Sequence, residues 1–338
     1  MKRNSIRAYI ILTLLLNLGG IHLTHAEASF PSRPLTMLIG FNVGGSTDVQ
    51  GQVLAQILTE QLKQPVQIIY HAGAGGGAAA AMLAESQDQG YTFQYGLSLP
   101  YTFTPLINPA SYSINSFRYV AGITLDQNAF ITGPNKPFKT WGEFIQYAKT
   151  NPGLIYASQN AQDRFVIQRV MQRENITLRI VPTSGGSGMA PLILSGDADI
   201  AFSGGTHSIY TDSGLMHVLA SLADERLAYY PDVPSLKELG YEVSVHAIRV
   251  VAVPANTPDS HVKILAQALK NVSQDPRFQH ITEKRIKMPV IFMEEDELNT
   301  LFSNQLNEYQ QLISESRHLK NIPSALDDKK NNRWAVQE

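Results

Sequence analysis

The chain has 338 residues, of which 43% are hydrophobic and 17% are charged, as is typical of a globular protein. Its formal net charge of −2 argues against nucleic-acid binding, because neutralising phosphates requires an excess of clustered lysines and arginines. The absence of cysteine excludes disulfides and a lipoprotein signal, and it suits a bacterial periplasm.

The first residues are typical of a secretory signal peptide. A basic start, residues 2–7, precedes an apolar run at 8–18, and Thr24 and Ala26 are the small side chains that a signal peptidase reads. The run is too short for a membrane anchor, which needs about 20 residues. We therefore predict that residues 1–26 are cleaved and that the mature protein is periplasmic, without stable membrane insertion.

A little over 300 residues then remain, and we expect two domains, because single cores stop growing at about 250–300 residues. Strands and helices alternate along the chain, which predicts α/β sheets flanked by helices. In chain order the first half predicts strand 34–41, helix 48–62, strand 66–70, helix 78–85 and strand 91–95.

The second half repeats this alternation and ends in long amphipathic helices. It predicts helix 141–150, strand 154–157, helix 164–174, strand 178–182, helix 189–195, strand 199–202 and helices 260–271 and 294–316. Residues 321–338 are polar and predict a loosely held C-terminal tail.

Three glycine-rich loops, residues 42–48, 72–77 and 183–188, each follow a strand and open a helix. Helix N-termini attract anions, and glycine lets the backbone approach them closely. Each loop by itself is as consistent with a tight strand-to-helix turn that a serine or aspartate caps as with a ligand site. Three of them at the carboxyl ends of strands favour a ligand site. Because none carries lysine or arginine, we predict a mono- or dicarboxylate ligand, and not a phosphate or tricarboxylate.

Enzyme interpretations fit less well. Residues 73–78 match a dinucleotide-binding pattern, but no acidic residue ends the following strand. Residues 44–48 and 185–189 each miss the nucleophile-elbow pattern at its last position. The histidines lack metal-ligand spacing, so we predict no metal site, no cofactor and no catalysis.

Arg249 stands alone in an apolar stretch, residues 246–254. A buried arginine usually needs a carboxylate partner. Two partners remain open: Asp48, which would make Arg249 structural, or the ligand itself.

At this point the sequence resembles the tripartite tricarboxylate transporter substrate-binding family, also called Bug receptors. The order and spacing of several short motifs carry the resemblance over residues 30–320. They are Phe30-Pro31-Ser32-Arg33-Pro34, Phe41 with residues 44–48, 73–76, 88–92, Asn108-Pro109, 147–149 with 151–153, Gly185-Gly186 and 231–234.

The resemblance implies a two-lobed periplasmic binding protein that closes on its ligand, each lobe a mainly parallel sheet flanked by helices. Lobe 1 would comprise residues 27–125 plus 250–320, and the inserted lobe 2 residues 126–249. The implied ligand-binding residues are Phe41, Gly44, Gly45, Ser46, Thr47, Asp48, Gly73, Gly75, Gly76, Ser98, Ser158, Gln159, Thr183, Gly185 and Gly186, with Arg249 as a candidate.

The same resemblance implies a monomeric receptor that delivers a small organic carboxylate to membrane permease subunits. A periplasmic sensor for a signalling partner remains an alternative, and a periplasmic α/β enzyme is a weaker one. Residues 157–164 lack the family's usual glycine and serine richness, which leaves the second lobe's contacts and the identity of the ligand open.

Overall fold

The computed structural model describes residues 30–318, with side chains through Glu315. The predicted signal peptide and the predicted C-terminal tail lie outside these residues. No helix within the described range is both long and apolar enough to cross a membrane.

Every predicted strand and helix is present, and the structure adds five strands that the sequence analysis did not predict, at residues 117–125, 128–132, 217–221, 248–254 and 290–293. The strands are β1 (Leu35–Ile39), β2 (Val66–Tyr70), β3 (Thr92–Leu97), β4 (Phe117–Leu125), β5 (Asn128–Thr132), β6 (Ile155–Ser158), β7 (Arg179–Pro182), β8 (Ile200–Gly204), β9 (His217–Ser221), β10 (Ile248–Pro254) and β11 (Val290–Met293). The helices are α1 (Ser46–Leu62), α2 (Gly77–Ala84), α3 (Leu99–Thr102), α4 (Thr104–Ile107), α5 (Trp141–Thr150), α6 (Ala161–Glu174), α7 (Gly186–Ser195), α8 (Ser208–Thr211), α9 (Asp259–Gln274), α10 (Pro276–Gln279) and α11 (Glu295–His318).

The strands form two separate mixed sheets. The first has the order β11-β4-β10-β3-β1-β2, in which β1 pairs in parallel with β2 and β3. The second has the order β7-β6-β8-β5-β9, in which β6 pairs in parallel with β7 and β8. The other pairs are antiparallel, and each of them includes β4, β5 or β10. The predicted two-lobed α/β fold is confirmed, but the expectation of mainly parallel sheets is wrong, because antiparallel pairs make up half or more of each sheet.

The second lobe is inserted between β4 and β10. The chain leaves the first sheet after Leu125 and returns at Ile248, and the two crossovers touch where the Asp126 N–H donates to the Ala247 carbonyl at 3.0 Å. The sequence-based boundary at residue 249 is therefore too late. Arg249 pairs with Leu97 of β3 and belongs to the first sheet, because the apolar run that contains it continues directly into β10.

Capping residues locate the first residue of these helices more closely than the spacing of the apolar residues does. The Asn160 side chain accepts a hydrogen bond from the Asp163 N–H, and the Asp163 carboxylate accepts one from the Asn160 N–H. This capping box starts α6 at Ala161, three residues before the predicted helix. Thr140 and Glu143 form the same arrangement at the start of α5.

Each sheet contributes to a core of its own. Leu35, Phe93 and Val251 are buried in the first lobe, whereas Phe130 and Tyr156 are buried in the second. The lobes also pack on each other away from the sheets. Phe165 of α6 lies against Phe103, with ring centroids 5.9 Å apart.

His207, three residues after the end of β8, is fully buried and neutral. Its Nδ1 lies 3.0 Å from the Ser203 hydroxyl, and its ring packs against Tyr230. Burial, together with the charge of nearby Lys287, lowers the pKa of His207 to about 3. Because this pKa lies below the value of about 6.5 in an unfolded chain, the neutral ring stabilises the fold above pH 6.5, and that stability is lost as the pH falls toward 3.

We predict that His207→Asn flattens the acid side of the stability profile. In the wild-type protein this group should remove about 1.4 kcal/mol of unfolding free energy per pH unit between pH 6 and pH 4. Urea denaturation at each pH measures the slope. His280→Asn, at an exposed position, is the control, and an unchanged slope in His207→Asn would contradict the assignment.

Candidate ligand-binding site between the lobes

The first glycine loop ends in a carboxylate that is already satisfied. Gly44 adopts a φ of +91°, and its N–H donates to Asp48 Oδ2 at 2.8 Å. Asp48 Oδ1 accepts hydrogen bonds from Gln52 at 3.1 Å and from the Tyr70 hydroxyl at 2.6 Å. Burial and the neighbouring Asp48 raise the pKa of Tyr70 to about 12, so its hydroxyl stays a donor. Asp48 therefore shapes the loop and keeps negative charge beside it.

Ser46, the first residue of α1, bridges the two lobes. Its N–H donates to Thr206 Oγ1 at 3.2 Å, and its hydroxyl donates to the Gly204 carbonyl at 3.1 Å. The hydroxyl also accepts a hydrogen bond from Arg249 at 2.7 Å. The Ser46 side chain, which the sequence predicts to be a ligand donor, is thus occupied by contacts across the cleft.

The second-lobe loop before α7 lies directly opposite the first loop. Asn42 donates to the Ser184 hydroxyl at 2.9 Å. A Cβ added at Gly45 would lie 3.8 Å from the Ser187 nitrogen and 3.9 Å from the Gly186 nitrogen. The N-termini of α1 and α7 therefore face each other across the cleft. Since both carry partial positive charge, an anion between them is favoured.

Phe41 fills the space between two of the glycine loops. A Cβ added at Gly185 would lie 2.9 Å from the Phe41 ring, and one at Gly76 would lie 3.7 Å from it. Both glycines also have positive φ, +100° and +97°. Backbone conformation therefore favours glycine at both positions, and close packing adds to this, against Phe41 at Gly185 and against Pro100 Cγ at 3.0 Å from a Cβ added at Gly76.

The third contact across the cleft joins the loop at 73–77 to the start of α6. A Cβ added at Gly75 would lie 2.7 Å from the Asn160 Cβ. The adjacent Gln159 N–H and the Asn160 N–H both donate to Asp163 Oδ2, at 2.8 and 2.7 Å. Burial raises the pKa of Asp163 to about 6. Because its own carboxylate caps α6, this helix start is a weaker anion site than that of α7.

Four other predicted ligand residues are engaged within the protein. Ser158 donates to the Asn160 carbonyl at 3.1 Å, and Thr183 donates to the Ser158 carbonyl at 3.0 Å. Gln159 donates to the Phe202 carbonyl at 2.7 Å. The Ser98 hydroxyl accepts the Ile248 N–H at 3.3 Å, where β10 begins. These side chains shape the cleft walls, and a ligand would contact them only if these bonds rearranged.

Arg249 pairs with neither of the two partners that the sequence left open. Its side chain is fully buried, and its Nε donates to Asp126 Oδ1 at 3.0 Å. The proposed Asp48 partner is wrong, because Tyr70 and Gln52 occupy that carboxylate. With its guanidinium enclosed by the protein, Arg249 is not placed to bind ligand.

The predicted ligand residues omit four that meet across the cleft: Asn42 and Ser187, which lie within the predicted loops, and Asn160 and Thr206, which lie outside them. One signal was available. Ser203-Gly204-Gly205-Thr206 follows β8 and has the composition of the other glycine loops, yet only a four-residue helix follows it. Within residues 30–318, no group of three or more histidine, cysteine, aspartate or glutamate side chains is placed to hold a metal ion.

Comparison with known proteins decides the family. The profile of the tripartite tricarboxylate transporter family receptor matches residues 51–318. The chain belongs to this receptor family. The resemblance seen in the sequence is thereby confirmed, and the family is a class of receptors, not of enzymes.

Individual relatives are distant but extend over most of the chain. BugT of Bordetella pertussis is 29% identical over 256 residues, covering 70% of this chain and 75% of its own. MatC of Rhodopseudomonas palustris, solved with bound malate, has a TM-score of 0.76 at 21% identity and covers 84% of this chain and 100% of its own. Another R. palustris protein, solved with adipate, has a TM-score of 0.77 at 19% identity, covering 84% and 97%. These structures share the fold of this receptor.

We predict that Gly45→Val abolishes ligand binding while the receptor still folds. Gly45 has an ordinary extended φ of −82°, so valine brings no backbone strain there, and stability should change by less than about 1 kcal/mol. Its methyl groups would fill the gap between the α1 and α7 N-termini. Calorimetry and thermal denaturation measure the two effects.

Gly142→Val is the matched control, because a Cβ at Gly142 would meet no atom within 4 Å. Wild-type affinity in Gly45→Val would show that the ligand does not bind between these two loops.

Proposed function

We propose that this receptor captures a small organic mono- or dicarboxylate in the periplasm and delivers it to a tripartite membrane permease. The facing N-termini of α1 and α7, near Gly45 and Gly186, carry this proposal. A carboxylate placed there would accept hydrogen bonds from backbone N–H groups of both lobes, and it would therefore favour the closed arrangement of the lobes. Ligand binding and lobe closure would then be one event.

The charges around the site favour a ligand that carries only one or two carboxylates. The three glycine loops contain no lysine or arginine, and Asp48 adds negative charge beside α1. Backbone N–H groups and the Thr47 and Ser187 hydroxyls are neutral donors, which suit a single carboxylate. A compact tricarboxylate would place its additional charges near Asp48 without compensation. The malate and adipate bound by the two R. palustris proteins agree with this ligand class.

A second carboxylate has a candidate partner on α6. Tyr101 and Arg249 are not available for this role, since the Tyr101 hydroxyl donates to Gln94 in the first-lobe core and Arg249 is enclosed. Arg164 lies one helical turn after Asn160. Its Nε is buried, and no described residue accepts a hydrogen bond from it. We propose that the remote carboxylate of a dicarboxylate binds Arg164.

We predict that the receptor binds mono- and dicarboxylates with well-separated ends and binds citrate poorly. Affinity should fall only modestly between low and physiological salt, because few fixed charges are engaged. Calorimetry over a panel of organic acids, with and without chelator, measures both properties. Tight citrate binding with a steep salt dependence would contradict the proposed site.

We also predict that Arg164→Gln weakens the binding of dicarboxylates and leaves the binding of monocarboxylates unchanged. The loss should be about tenfold or more for the best dicarboxylate, with monocarboxylates of equal length unaffected, because only the remote carboxylate loses its partner. Arg164→Lys keeps the charge and is the matched control. Equal losses for both ligand classes would instead indicate a structural role for Arg164.

The sensor alternative makes a different prediction in cells. Deleting the gene should abolish uptake of the bound acid if the receptor serves a permease. Unchanged uptake together with a lost transcriptional response to the acid would favour signalling.

A further inference from the structure

Arg249 and Asp126 form an ion pair between the two crossovers that join the lobes. Asp126 follows β4, where the chain leaves the first sheet, and Arg249 is the second residue of β10, where it returns. Arg249 Nε lies 3.0 Å from Asp126 Oδ1, and both side chains have 0% exposure. Because the pair is removed from water, each charge depends on its partner and on its other hydrogen bonds.

The guanidinium connects this pair to the first glycine loop. Nη1 donates to Gln50 Oε1 at 3.1 Å, and Nη2 donates to the Ser46 hydroxyl at 2.7 Å. Both residues are on α1, whose N-terminus faces α7. The position of α1 relative to the crossovers is therefore fixed by three nitrogens of one rigid group, which lysine could not replace.

The same guanidinium also reaches the second lobe. Nη2 donates to the Gly204 carbonyl at 3.0 Å, at the end of β8. Packing here is tight, since a Cβ added at Gly204 would lie 2.8 Å from Asp126 Oδ2. The next residue, Gly205, has a φ of +101° and packs against the Met288 side chain of the first lobe. This part of the second lobe is shaped to fit closely around the ion pair.

We propose that Arg249 is a positioning residue that couples the first glycine loop to lobe closure, and that it does not bind the ligand. This inference rests on the proposed ligand-capturing function. When the lobes are closed, Arg249 joins Ser46 of lobe 1 to Gly204 of lobe 2. An opened receptor would separate these groups, so the guanidinium favours the closed form.

The effect of Arg249 on closure can be measured as the fraction of receptor molecules in the closed form. If only the closed form holds the ligand between α1 and α7, the apparent dissociation constant is the intrinsic one divided by the closed fraction. Weakening the Arg249 contacts should therefore lower both affinity and closed fraction. A purely structural arginine would lower stability without changing the closed fraction of the folded protein.

The chain has no cysteine, so a single labelled pair can report the distance between the lobes. Met82→Cys in α2 and Leu215→Cys before β9 are exposed positions, at 45% and 43%, one in each lobe. The pair carries fluorophores for single-molecule energy transfer. It is combined with Arg249→Lys, which keeps the charge for Asp126, and with Arg249→Met/Asp126→Asn, which removes both charges.

We expect both variants to show a smaller closed fraction without ligand and an affinity for the best-binding organic acid that is about tenfold lower or more. A folded variant with the wild-type closed fraction and affinity would overturn the proposal. If neither variant folds, Ser46→Ala provides the test, since it removes the hydroxyl that Arg249 and the Gly204 carbonyl share and leaves the ion pair intact. It should lower the ligand-free closed fraction, and an unchanged fraction would overturn the proposal.

The ligand-free distance distribution separates this inference from the proposed function. A wild-type receptor that binds no organic acid would refute carboxylate capture, while the variants would still show whether Arg249 favours closure. Carboxylate binding with an unchanged closed fraction in the variants would refute only the role of Arg249.

Discussion

The buried ion pair of Arg249 and Asp126 is the interaction on which the arrangement of the lobes depends. Removing two charges from water is costly, and the cost is offset only when each charge has a well-placed partner. Here each guanidinium nitrogen has a partner, among Asp126, Gln50, Ser46 and Gly204, whereas Asp126 Oδ2 has no hydrogen-bond partner among the described residues. The crossovers, the start of α1 and the end of β8 are consequently held together at one point.

The glycine loops follow from this arrangement. With α1 fixed against the crossovers, its N-terminus faces that of α7, and a Cβ added at Gly45 would lie 3.8 Å from the Ser187 nitrogen. Two partial positive charges facing each other favour an anion without any cationic side chain. Such a site discriminates by charge number and shape, because neutral donors match one carboxylate well and additional charges poorly.

The sequence by itself determined the class of the protein. Alternating strands and helices predicted the two-lobed α/β fold, since apolar periodicity is a local property that survives in the tertiary structure. The order of short motifs predicted the receptor family, and the absence of lysine and arginine from the loops indicated a weakly charged ligand. Capping residues such as Asn160 can also be recognised in the sequence, although they were not used to predict the start of α6.

Only the tertiary structure decided which polar groups face the cleft. Ser46, Ser98 and Thr183 looked like ligand donors in sequence, but their hydroxyls are engaged in hydrogen bonds with groups up to 203 positions away along the chain. Arg249 was ambiguous for the same reason. Its burial required a carboxylate, yet several were available, and local sequence does not specify which one lies nearby. Partner choice depends on how the two crossovers bring β4, β8 and β10 together, and that is a long-range property of the fold.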